Sequence, residues 1–191
     1  MKVMRKRKVV ANRGNGGFKI GDQIHVGKRY TATCQEVEKD CAIFMFDQYL
    51  GEPQVMNLQR TNEGGYEASD LRKFLTKFAM TSVFDEIREM MVPFKKTGDL
   101  LRIPTSEEMF GPEETYEYYE PLSLNKQWPL MKDCRNRLAF FGEDQKIEWG
   151  WLQNKYKNSD AIFACVNDNG KSGLYIASYT AGVRVVFRLS V

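Results

Sequence analysis

Apolar positions divide the chain into three stretches of different period. From Ile20 to Gln48 the pattern is that of strands. Two short alternating runs are broken at Gly21 and Gly27, and Cys41–Phe46 (C-A-I-F-M-F) is a continuous apolar run, as expected of a central strand. Glu38-Lys39-Asp40 predicts a hairpin between the second run and this strand. Residues 49–67 read as a loop, with Gly51, Pro53 and Gly64-Gly65. Two helices are predicted next. Leu71, Phe74, Leu75 and Phe78 recur at i, i+3, i+4 and i+7 behind a Ser69 or Asp70 cap. Val83, Ile87, Met90 and Met91 form a second stripe, with Ser82 and Asp85 as a capping box and Pro93 as its end. Both stripes are amphipathic and should lie on a sheet.

Residues 97–124 are acidic and irregular, apart from a short helix start at Thr105–Glu108. Gln127–Asn136 has no clear period, Leu138–Phe141 is strand-like, and Gly142-Glu143-Asp144 turns the chain. The run 149–191 alternates most clearly. Ala161–Val166 is a strand, Asn167-Asp168-Asn169-Gly170 a hairpin turn, and Lys171–Tyr179 the returning partner. In the last strand Val183, Val185, Phe187, Leu189 and Val191 share one face, and Arg184, Val186, Arg188 and Ser190 the other. The pattern predicts an α+β fold.

Charge adds an asymmetry. The 191 residues carry a net charge of +3. Seven Lys and Arg residues and no acid fall within residues 1–21, leaving the remainder with 21 bases against 25 acids. Residues 1–17 therefore read as a basic flexible arm and 18–191 as one domain. The arm could bind nucleic acid or serve in assembly, including an oligomer. No apolar run is long enough to span a membrane, and the N-terminus lacks the apolar segment of a secretion signal, so synthesis in a cytoplasm is expected.

Candidate chemistry is sparse. Cys34, Cys41, Cys134 and Cys165 form no close pair, and His25 is the single histidine, so no metal site or cofactor is expected. Cys34 and Cys41 lie on neighbouring predicted strands and could face each other. No P-loop, dinucleotide fingerprint or nucleophile elbow occurs. Glu113, Glu114, Glu117 and Glu120, interleaved with Tyr116, Tyr118 and Tyr119, could bind a metal or act in acid–base chemistry, or form a solvated loop. Asn167–Gly170 is not a calcium loop, because Ile176 stands where the bidentate acid would be.

Several segments in order carry a resemblance: F-K-I-G-D (Phe18–Asp22), Y-E-A-S-D-L-R-K-F-L (Tyr66–Leu75), E-I-R (Glu86–Arg88), P-T-S-E-E-M-F (Pro104–Phe110), Q-W-P-L-M-K-D-C-R-N-R (Gln127–Arg137), W-G-W-L-Q-N (Trp149–Asn154) and G-V-R-V-V-F-R-L (Gly182–Leu189). Together they resemble a family of bacterial and phage proteins with a C-type-lectin-like fold, over roughly residues 18–191. Val185-Val186 stand where that family usually has Pro-Ala. The resemblance implies a mixed fold with paired N- and C-terminal strands, an antiparallel sheet, two helices and long irregular loops. Relatives of that fold include the variable proteins of diversity-generating retroelements and, more distantly, formylglycine-generating enzymes. The enzymes need a C-terminal cysteine pair, and only Cys165 lies in that region here. The expected role is therefore non-enzymatic binding of a protein or carbohydrate ligand, in a phage particle or its host; a divergent enzyme is the alternative. The expected contact residues are Trp151, Tyr156, Phe163, Asn167, Asn169, Tyr175, Ser178 and Tyr179, which mix rigid aromatics with small polar groups. Trp149 and Trp151 also suit core anchors, and Arg184 a structural role.

Overall fold

Six consecutive apolar residues in a strand can all be buried only where both faces of the sheet are packed. Cys41–Phe46 forms such a strand, with all six residues buried. A computed structural model of the chain describes residues 17–122, 126–142 and 146–191. The expected basic arm therefore lies, apart from Gly17, outside the described residues, as do Glu143 and Asp144 of the predicted turn.

In chain order the strands are β1 (Gln23–Val26), β2 (Tyr30–Val37), β3 (Cys41–Phe46), β4 (Gln54–Val55), β5 (Phe140–Phe141), β6 (Lys146–Ile147), β7 (Gly150–Lys155), β8 (Ile162–Val166), β9 (Ser172–Ile176), β10 (Thr180–Ala181) and β11 (Val186–Ser190). The helices are α1 (Gly65–Ala68), α2 (Asp70–Phe78), α3 (Ser106–Phe110) and α4 (Pro112–Tyr118). The fold is α+β. One antiparallel sheet has the order β1-β2-β3-β11, a second has the order β7-β8-β9, and two-stranded pairs join β4 to β10 and β5 to β6.

β3 separates two cores. Ala42, Phe44 and Phe46 face the larger one, with Leu71, Leu75, Phe84, Trp151, Phe163, Val183, Val185 and Phe187. Ile43 and Met45 face the other, with Met109, Trp128, Met131, Leu152, Ala164 and Val186. β11 pairs with β3 in the register Phe44↔Phe187, and these rings stack at 5.7 Å. Arg184 is buried, donating from Nε to the Phe46 carbonyl and from Nη1 to those of Asn136 and Arg137. It ties the 134–137 turn to the sheet.

The first predicted helix is α2. The Ser69 hydroxyl accepts from the Arg72 amide at 3.1 Å, and Leu71 and Leu75 are buried. The second is not a continuous helix but two 3₁₀ turns, Ser82–Phe84 and Arg88–Met90. Arg88 folds back to donate to the Ala79 and Thr81 carbonyls. The Val92 amide then joins the edge of β11 through the Arg188 carbonyl. Such a short segment gains too little from helix propagation to resist these tertiary bonds. The acidic stretch read as irregular contains α4, which opens on Pro112 with Glu113 and Glu114 in its first turn. α3 carries the Thr105/Glu108 capping box. α1 and β4 likewise occur where a loop was predicted.

Cys34 and Cys41 do not face each other. Cys34 pairs with Phe44 and enters the larger core. The Cys41 thiol lies on the opposite face of β3, accepting from Arg188 Nη2 at 2.8 Å and donating to Glu38 Oε2 at 3.1 Å. Burial, with help from the Asp22 charge, pushes the Cys34 thiol up to about 12.

Candidate functional site

A cleft of about 660 Å³ opens beside the second sheet, lined by Pro53, Phe141, Glu148, Trp149, Tyr175, Thr180, Ala181 and Gly182. Its floor depends on two glycines. Gly150 and Gly182 form a parallel bridge, with the Gly182 amide donating to the Trp149 carbonyl at 2.7 Å and the Trp151 amide to the Gly182 carbonyl at 2.9 Å. The Tyr49 ring packs on both. A β-carbon on Gly182 would sit 2.5 Å from that ring, and one on Gly150 would sit 2.6 Å from the tyrosine oxygen. Tyr49 also donates its hydroxyl to the Glu148 carbonyl at 2.9 Å. The W-G-W spacing thus lets a core tyrosine approach the backbone and fixes the half-buried Trp149 at the cleft wall.

The wall is a contiguous group of rings. Trp149 and Tyr175 lie 5.1 Å apart, Trp151 and Tyr175 5.4 Å, and Tyr175 and Tyr179 5.6 Å in an edge-to-face arrangement. Tyr179 is 52% exposed. Phe141, at 5.1 Å from Tyr49, contributes from the other side. Burial, followed by the charges of Cys165, Glu148 and Tyr179, pushes the Tyr175 hydroxyl above its ordinary value.

The expected contact residues do not form one surface. Trp151 and Phe163 are 1% and 0% exposed. Both belong to the larger core, and Trp151 Nε1 donates to the Gln54 carbonyl at 2.7 Å. They cannot present a face to a ligand, because the inward side of β7 and β8 is covered. Tyr156 packs against the other core and bridges to Tyr119. Asn167 organises the hairpin turn: its Oδ1 accepts from the Asn169 and Lys171 amides at 2.9 and 3.0 Å. Asn169 is exposed on that turn, whose Gly170 has φ +71°. Tyr175 lines the cleft, Tyr179 adjoins it through Tyr175, and half-buried Ser178 lies between them in sequence. The alternation identified β8 and β9 but not which face was covered. Trp149 was visible as an aromatic two residues before the buried Trp151; Pro53, Phe141 and Thr180 carried no such signal.

A second cleft, of about 370 Å³, includes Tyr66, Phe94, Lys96, Arg102, Glu108 and Lys155. Its cations already have carboxylate partners: Arg102 with buried Glu108, Lys155 with Glu120 at 3.0 Å, and Lys96 with Glu67 at 3.4 Å. The acidic segment offers no group of three or more metal-binding side chains among the described residues. Cys165 is fully buried and burial pushes its thiol up, which opposes thiolate chemistry there.

Comparison with known proteins finds no family model, no curated protein and no solved structure that matches this chain.

Proposed function

We propose that the chain is a non-enzymatic ligand-binding protein with a C-type-lectin-like fold, whose recognition site is the cleft at Trp149, Tyr175 and Tyr179. The observation that carries this reading is the ring wall itself: aromatic groups, one of them half exposed, held in place by the Tyr49–Gly150–Gly182 contact. Such rings supply large contact area at low entropic cost, with hydroxyls for orientation. A protein or a carbohydrate ligand suits this chemistry. Diversification of the C-terminal segment in a phage or its bacterial host belongs to the same reading. A near-copy of its codons, differing mainly at adenines beside a reverse transcriptase gene, is the genomic sign of it.

The direct test follows tryptophan fluorescence while separate panels of neutral oligosaccharides and random peptides are titrated. A bound probe should lose at least about tenfold in affinity on Tyr179→Ala, equivalent to ~1.4 kcal/mol, with the melting temperature unchanged. Unaltered affinity in that variant removes the cleft as the site.

A further inference from the structure

The outer edge of β9 borders the cleft. Antiparallel ladders alternate between bonded pairs, which exchange backbone hydrogen bonds, and pairs that do not. The Asn167 amide donates to the Lys171 carbonyl at 2.8 Å and the Ala177 amide to the Ala161 carbonyl at 2.9 Å. Between these bonded positions the register is Cys165↔Gly173 and Phe163↔Tyr175. Gly173 and Tyr175 therefore bond inward to β8, while Ser172, Leu174 and Ile176 direct their backbone groups outward. The Ile176 carbonyl accepts from the Tyr179 amide. Among the described residues no strand pairs with this edge.

The outer edges of β7 and β11 are closed. On β7, the Trp151 and Gln153 amides donate to the Gly182 and Pro104 carbonyls, and the Lys155 carbonyl accepts from Glu120. On β11, Val186 and Arg102 exchange backbone bonds. β1 also has an outer edge, but it is one residue shorter than β9, ends at Val26, and is followed by Gly27, which packs on Val83. β9 lacks three usual protections against strand addition: Ser172–Ile176 contains no charge and no proline, and its register with β8 has no bulge; Leu174 is 40% exposed.

We propose that β9 accepts an extended segment of a partner polypeptide as a fourth strand, with alternate apolar side chains of that segment entering the aromatic cleft. The proposal rests on the cleft reading and names its ligand class. Backbone bonds to Leu174 and Ile176 supply affinity, and the Tyr175–Tyr179 side of the sheet receives every second side chain. A second copy of β9 fits less well. Paired about Leu174, it would offer that side only Gly173 and Tyr175, and its Tyr175 is already packed against its own Trp149 and Trp151.

The test selects random displayed peptides on the full chain and measures the recovered sequences against Leu174→Pro, Leu174→Ala and Tyr179→Ala. Proline at 174 removes an outward amide and leaves the β8 ladder intact, because that residue does not bond to β8. The expected result is at least about a tenfold loss on Leu174→Pro and a smaller loss on Leu174→Ala. Amide exchange on the unaltered protein, which does not depend on any variant folding, should show Leu174 and Ile176 protected by the peptide. Three results overturn the proposal: recovery of no peptide; unchanged binding to Leu174→Pro or unprotected amides; or self-association of the unaltered protein that Leu174→Pro abolishes, which would assign the edge to a second copy. Peptides insensitive to Leu174→Pro but weakened by Tyr179→Ala would leave the cleft reading standing without strand addition. Peptides with the opposite sensitivity would keep the edge and remove the cleft.

Discussion

β3 and β9 are both strands of five or six residues, and their surroundings could hardly differ more. β3 has a strand on each side and a core on each face, and all of its residues are buried. Among the described residues β9 has one neighbouring strand, and Leu174 on it is exposed. Yet both sheets share a core, since Phe187 of β11 and Phe163 of β8 belong to the same buried cluster. The exposed edge is therefore carried on the same core as the buried strand, which lets a binding surface stay open without loss of order.

Four measurements would break or sharpen this contrast. The largest effect is expected from Phe187→Ala and Phe163→Ala, each costing about 3–5 kcal/mol in chemical denaturation through a single transition. A small cost for Phe163→Ala, or two separate transitions, would divide the sheets into independent units. Next, Gly182→Ala should cost about 1–3 kcal/mol, because the new methyl meets the Tyr49 ring. It should also shift the Trp149 fluorescence, and an unperturbed spectrum would detach the cleft from that contact.

The third concerns Asp47, half-buried beside the first sheet. Burial raises its carboxyl above 3.8, despite hydrogen bonds from Thr33 and Gln23 and the Arg184 charge. A folded value above the unfolded one means that the folded state binds the proton more tightly. The charged form is then penalised at neutral pH, and the penalty is relieved as pH falls through the folded value toward the unfolded one. Stability relative to Asp47→Asn should rise as pH drops from 7 toward 4; a pH-independent difference contradicts this. The smallest effect is that of Tyr179→Ala, within ~0.5 kcal/mol of the unaltered stability by denaturation. A larger loss would make Tyr179 part of the scaffold rather than of the site.

Legibility followed the range of the forces involved. Cys41–Phe46, α2 with its Ser69 cap, and the face of the last strand from Val183 through Leu189 were all readable, because each pattern lies within a few residues; Val191, read on the same face, is exposed. The segment from Ser82 failed as a helix because Arg88 found carbonyls behind it and Val92 found a strand edge, partners that a local stripe does not reveal. The candidate site shows the same limit. Tyr175 and Tyr179 were nominated and lie at the cleft, whereas Trp151 and Phe163 were nominated on composition and are buried.

By itself, then, the sequence determined the periods: which segments extend, which coil, and which faces are apolar. Only the tertiary structure decided which apolar faces were covered. Pro53, Phe141, Trp149 and Thr180 come from separate stretches, and they line one cleft because Tyr49 packs against Gly150 and Gly182. Burial is a property of packing between distant segments, so no local pattern could assign it.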